Sequence, residues 1–440
     1  MMHQAQPFSS ALYDSALKDL ARSPAAGEPT WVRALRSRAS DYFRQHGLPH
    51  PKQEAWRFTK LRAVSEVPFT AAHPAAGSDL SWARSIGAVE SAQISLLNGH
   101  PVGLDVAGPD TEACTISELL RRAPERLEPH LGRLAREKDG FSALNEAMFQ
   151  DGVRLGIGPG EKSVPIQVLI ASEAQSEALV SYPRLLVVAE PNSRCTLVEI
   201  HVSQGQSARL ANAVTEIVIG QNASLEHIRV VYGAPRAHTI QLISVEQAAD
   251  SRYTSRVITL GGALSRLDLE VMLAGPGAEC ALDGLYLAGA GEQVDHHTRI
   301  AHRAPHCQSN EKYKGIVYDD GSAVFDGLIH VERAALDTSA HQENRNLVLS
   351  DAAVVNTKPN LEIDADAVRC THAATVGQLN PDDVFYLQTR AIDEPSARAI
   401  LAYAFAREML DRVSDESLRA TLSQAVLARL GHRELFEELA

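Results

Sequence analysis

Residues 184–232 read RLLVVAEPNSRCTLVEIHVSQGQSARLANAVTEIVIGQNASLEHIRVVY. Short runs with alternating apolar residues (RLLVVA, TLVEIHV, TEIVIG, LEHIRVVY) are separated by turn clusters centred near Asn192, Ser207 and Asn222. A period of two marks strands, because successive side chains point to opposite faces. The pattern begins at VPIQVLI (164–170) and continues through TIQLISV (239–245) and RLDLEVML (266–273). No convincing amphipathic helix appears before residue 380. Further turn clusters fall near Arg236, Asp250, Gly262, Gly277, Gly291, His306, Gly321, Thr338, Asp351 and Ala365, mostly about 14 or 15 residues apart. A steady period over roughly 200 residues predicts a solenoid, in which each coil buries its apolar face against its neighbours. Two strands with their turns give coils of about 28 residues. The alternative is a large antiparallel sandwich, whose strands recur at a shorter spacing of about 8–12 residues.

The chain divides into three regions: a mainly helical one over 1–150, the solenoid core over 151–379, and a helical one over 380–440. In the first, Thr30 is a candidate N-cap, with Trp31, Leu35, Tyr42 and Phe43 largely on one face and Gly47 with Pro49 as the stop. A second helical stretch, Ile116 to Arg136, is interrupted by Pro124 and Pro129, and a short helix covers Ser142 to Phe149. In the last region Asn380 caps a helix with Pro381 at N1, and Asp382 and Asp383 complement its dipole. A second helix follows Pro395, and a third, after Ser414, carries Leu418, Leu422, Val426 and Leu430. These stripes need a packing partner, either one another or a docked protein. Truncation after Gln378 should therefore leave the coils standing.

At 440 residues with 45% hydrophobic and 22% charged content, the chain is an ordinary globular one. A net charge of −13 argues against nucleic acid or an anionic membrane as general partner. No apolar run approaches the ~18 residues of a membrane span, and MMHQAQPFSS lacks the features of a secretory signal. Five scattered cysteines (114, 195, 280, 307, 370) without a C-x-x-C suggest a reducing compartment, hence the cytoplasm.

Cys370 and His372 stand at i and i+2 of an alternating segment, so they project together, and a thiolate beside an imidazole suits iron, zinc or sulfur chemistry. Two ligands from one chain cannot close a four-coordinate site, so a partner must supply the rest or the site is transient. His296, His297, His302, His306 and Cys307 form a denser group, read as a polar outer face and a corner rather than a metal site. Cys195 and Cys280 each fall three residues after a turn centre and read as inward core packing. No G-x-x-x-x-G-K-[ST], H-E-x-x-H or G-x-S-x-G occurs, so no hydrolytic machinery is recognisable.

The segment Lys358 to Ile392, with Cys370-Thr-His372-Ala-Ala-Thr-Val-Gly-Gln378, resembles the signature of the SufB/SufD family of iron–sulfur cluster assembly scaffolds, and its SufD members more than its SufB members. Glu54-Ala-Trp56-Arg-Phe-Thr59, Lys314-Gly315, Val324-Phe-Asp-Gly327 and Asp337 to Leu347 resemble further blocks of that family, whereas Thr371, Ala373 and Ala391 depart from its usual residues. The resemblance implies a right-handed parallel β-helix with flanking helices and a non-enzymatic role. It also implies pairing with a SufB subunit through the terminal strands and docking of the SufC ATPase on the C-terminal helices. His372 and Cys370 would then act at the subunit interface as transient, shared ligands where the nascent iron–sulfur cluster is built. No cofactor is expected to stay bound to the chain alone; flavin binding and a homodimer of the isolated chain stay open. Two other functions compete. One is a β-helix carbohydrate-active enzyme, disfavoured by 5% aromatic content. The other is an inert adaptor for an ABC-type ATPase, in which Cys370 and His372 have no chemical role.

Overall fold

The computed structural model describes residues 28–73, 80–84, 92–106, 110–162 and 164–431. The stretch MMHQAQPFSS lies outside them. The alternation forms a parallel β-solenoid of about 7 turns with helices flanking both ends. From Arg184 onward each strand pairs with the next but one, so alternate strands build two facing sheets. Cys195 lies opposite Leu225, a step of 30 residues, and Leu210 opposite His238, a step of 28. The corners coincide with many of the turn centres: Asn192, Asn222, Asp250 and His306 hold φ of 62°, 55°, 58° and 61°. Asn and Asp tolerate this left-handed backbone, which explains their recurrence at the bends.

Inward positions stack into columns along the solenoid axis. Apolar columns such as Ile217, Val245, Val271 and Ile300 make a continuous core. Two aromatic rings need room that only glycine leaves: Tyr313 lies opposite Gly284, and Gly315 opposite Tyr286. A Cβ at either glycine would come within 2.1 Å of the facing ring. The Lys314-Gly315 block therefore has a packing origin.

The N-terminal region is less helical than its sequence suggests. Helix α1 (Thr30–His46) packs on α2 (Gly140–Met148) through Leu35, Phe43, Phe141 and Leu144. Thr30 begins α1 rather than capping it; Pro29 holds the cap position with no side-chain bond. Asp139 and Ser142 close a reciprocal capping box on α2. The helix starting at Ile116 stops at Arg122, and Pro124–Arg126 forms a separate 3-10 turn. Between His46 and Ile116 the described residues hold only short helical turns and several strands. Ala92–Leu97 and His100–Asp105 form a hairpin whose first strand joins one sheet through Ile166–Glu173, and Thr111–Thr115 joins the other through Val153–Ile157. These strands are short, and the pairings that join them to the two sheets span about 40 residues or more, so local periodicity does not reveal them.

Helices α3 (Pro381–Gln388), α4 (Glu394–Leu410) and α5 (Glu416–Arg429) follow the last strand, capped by Asn380, Asp393 and Asp415. The apolar stripe of α5 is not left free. Leu418, Leu422 and Val426, with Ala402, Ala406 and Met409 of α4, bury against Ile200, Val230, Ile258, Leu285 and Ile316 on the outer face of one sheet. Lys312 and Lys314 pair with Glu408 there, and Arg412 reaches Asp283 at 2.9 Å. The outer solenoid face and the helices share one core, which argues against coils that stand without them.

Candidate functional site

The final strands are β1 (Gln308–Val317), β2 (Ser322–Val331), β3 (Ser339–Val348), β4 (Val354–Ile363) and β5 (Arg369–Gly377). β5 ends one sheet and β4 the other. Among the described residues each leaves a row of backbone groups on its outer side without a strand partner, the geometry of an edge open to pairing. Val354, Ile363 and Val376 are large apolar side chains exposed on this terminal coil.

β5 pairs in parallel with β3, placing Cys370 opposite Ala340 and His372 opposite Gln342. Followed down the sheet, the Cys370 position is occupied by Ala340, Ser309, Cys280, Tyr253, Leu225 and Cys195. Cys195 and Cys280 are buried core residues, as their spacing predicted. Cys370 therefore continues an interior column at the point where no further coil covers it. It is half-buried against the core, and burial pushes its thiol above the usual value. His372, one inward position along, is exposed. The structure thus brings the two residues to one face at the solenoid's open end.

Beneath His372 lies a buried pair. Gln342 Nε2 donates to Glu311 Oε2 at 2.7 Å, and Glu311 occupies the same column on β1. Burial pushes the Glu311 carboxyl up to about 7, against the hydrogen bond from Gln342 that lowers it. The pair belongs to a polar band between the sheets that the sequence reading missed. Deeper in the band, Glu199 contacts His201 Nε2 at 2.6 Å and His227 Nε2 at 3.3 Å. Although burial opposes its charge, those imidazoles hold its carboxyl well below the usual range. Nearer the open end, the Tyr286 hydroxyl donates to Asn346 at 2.5 Å, and Thr357 donates to Asn344 at 2.8 Å. Alternate polar residues in Gln342-Glu-Asn344-Arg-Asn346 carried the signal, since even spacing sets them on one face.

The histidine group is split by the fold, and part of the reading is corrected. His296 and His302 are six residues apart, hence on one face, and that face is the interior. His296 sits edge-on to the Tyr286 and Tyr313 rings at 5.3 and 5.7 Å, and burial lowers it to about 3. His302 bonds Ser309 at 2.9 Å. His297 instead contacts Asp295 at 2.8 Å, His306 lies at a corner near Asp337, and Cys307 is buried. Among the described residues no three His, Cys, Asp or Glu side chains converge as metal ligands.

On α3 only Val384 is buried, while Phe385 and Tyr386 are 65% and 56% exposed. Two adjacent uncovered aromatic rings beside the terminal coil form a second candidate contact surface. No helix among the described residues is long and apolar enough to cross a membrane.

Residues 170–405 match the family model of the SUF system FeS cluster assembly SufBD core domain. The chain is similar to an iron–sulfur cluster assembly SufBD family protein of Synechocystis, 34% identical over 90% of each chain. It is 29% identical to the iron–sulfur cluster assembly protein SufD of Escherichia coli, over 88% of this chain and 89% of that one. It is 27% identical to the chloroplastic protein ABCI7 of Arabidopsis thaliana, over 94% and 89%.

Proposed function

Because the chain belongs to the SufBD family of iron–sulfur cluster assembly proteins, we propose that it is a SufD-type scaffold subunit of a SufB–SufC–SufD complex. The observation that carries this reading is the place of Cys370 and His372. They end two interior columns on the last strand of a sheet whose edge is open. A SufB-type chain pairing along β4 and β5 would supply the missing strand and the missing ligands, with the nascent cluster as cargo between the two chains. Cys370 enters that interface as a neutral thiol, and loses its proton only when a metal or a cationic neighbour stabilises the thiolate. His372 supplies an imidazole, a group that ligates metals and relays protons. The chain is not itself an enzyme: it carries no phosphate-binding loop, and two ligands hold no stable cluster alone. A SufC-type ATPase would engage the exposed face of α3, since the stripes of α4 and α5 are consumed by the solenoid. The cytoplasm suits this assignment.

The test is His372→Ala in cells depleted of the native protein. The variant should fold, pair with the SufB-type subunit and capture the ATPase, yet fail to support iron–sulfur enzyme activity. Cys370→Ala should be milder if the thiol mainly packs. Normal cluster output from His372→Ala would favour the inert adaptor instead.

A further inference from the structure

We propose that Gln342 is a positioning residue for His372, fixing which ring nitrogen of the imidazole carries the proton. The proposal rests on His372 being the working group at the terminal coil. Gln342 is wholly buried, and its side-chain amide is held at one end only. Nε2 donates downward to Glu311 on β1, whereas Oε1 is buried without a hydrogen-bond partner among the described residues. The oxygen and nitrogen of an amide diverge from one carbon, so the two ends serve different neighbours. With the nitrogen committed to the coil beneath, the oxygen is the free end of the amide, and the next residue on its column is His372, which does not bond it in this structure and would turn inward to do so. An amide oxygen accepts and cannot donate, so it selects the imidazole form whose near nitrogen carries the hydrogen. The far nitrogen then presents its lone pair outward, toward the open edge. Histidines that bind metals are commonly set in this way by an oxygen acceptor on the second nitrogen. The arrangement also resolves an otherwise costly feature, because a buried acceptor left unpaired destabilises the fold by about 1–3 kcal/mol.

Glu311 anchors the amide and thereby sets the direction. A glutamine free to flip by 180° would offer either a donor or an acceptor to His372 and select neither tautomer. The Glu311 carboxylate, the form present near pH 8, can only accept, here from Nε2, and so removes that freedom.

The experiment is nitrogen NMR on the full-length chain labelled at histidine nitrogens, near pH 8, where an ordinary imidazole is neutral. The His372 signals are assigned by their loss in His372→Gln. The parent should show one tautomer, and Gln342→Met a mixture. Cluster output should fall about tenfold or more in Gln342→Met. A mixture of tautomers in the parent would overturn the proposal whatever the variants do. So would an unchanged single tautomer in a folded Gln342→Met. The tautomer is read without the partner or cluster, so the proposal is judged separately from the requirement for His372 in assembly.

Discussion

Arg266 lays its guanidinium over the indole of Trp56, 3.6 Å from the ring centroid, and joins the N-terminal region to the middle of the solenoid. The same guanidinium donates to Ala55 O, Thr59 Oγ1 and Asp295 Oδ2 at 2.9–3.0 Å, so the whole Glu54-Ala-Trp-Arg-Phe-Thr59 block is clamped onto two coils. Lys60 N donates to Gln293 Oε1, and Gln293 Nε2 returns to Phe58 O, each at 2.7 Å. Glu54 reaches Lys358 on the terminal strand β4. The motif thus serves architecture. Trp56→Ala should cost about 3–5 kcal/mol, as for other buried large aromatics. Arg266→Ala should cost a similar amount by leaving Asp295 buried without its cation. Chemical denaturation of each variant measures both; losses below about 1 kcal/mol would show that the clamp is dispensable.

Glu311 predicts a pH dependence of stability. Its carboxyl is raised from 4.5 to about 7 in the fold, so the folded chain holds a proton there that the unfolded chain has released. Stability contributed by that proton is complete below about 4.5 and is lost as pH climbs through about 7. Glu311→Gln, neutral at every pH, should lack this loss. The difference in melting temperature between Glu311→Gln and the parent should move in favour of the variant from about pH 5 to about pH 8. A constant difference would place the carboxyl's titration elsewhere.

Removal of residues 379–440 should not leave a stable solenoid. The cut uncovers Ile200, Val230, Ile258, Leu285 and Ile316 together on one sheet face, a contiguous apolar surface of the kind that drives aggregation. The truncated chain should be recovered mainly as insoluble or oligomeric material by size-exclusion chromatography. A monomer with the parent's β-sheet circular dichroism would show that the coils are self-sufficient after all.

Phe385 and Tyr386 separate docking from folding. Both rings stand largely in solvent, so the double change to alanine should alter stability by no more than about 0.5 kcal/mol. If they anchor the ATPase subunit, its affinity should fall about tenfold or more, as loss of an aromatic anchor does. Pull-down and thermal melting of the same preparation decide the matter; unchanged capture would move the contact to another face.

Much of the architecture was legible along the chain. A period of two with Asn, Asp and Gly at steady intervals prescribes strands bent at left-handed corners, and local backbone preference suffices to write it. The juxtaposition of Cys370 and His372 follows from the same period. Three matters required the assembled fold. Alternation states that His296 and His302 share a face but not that the face is interior, because that depends on which side the opposing sheet lies. A helical stripe on α5 declares that it needs apolar company, yet the partner, an outer sheet face, is built from coils more than a hundred residues earlier. Neither does any local pattern place Glu311 and Gln342 beneath His372, since a column forms only when coils about 30 residues apart stack in register and bury their polar groups together.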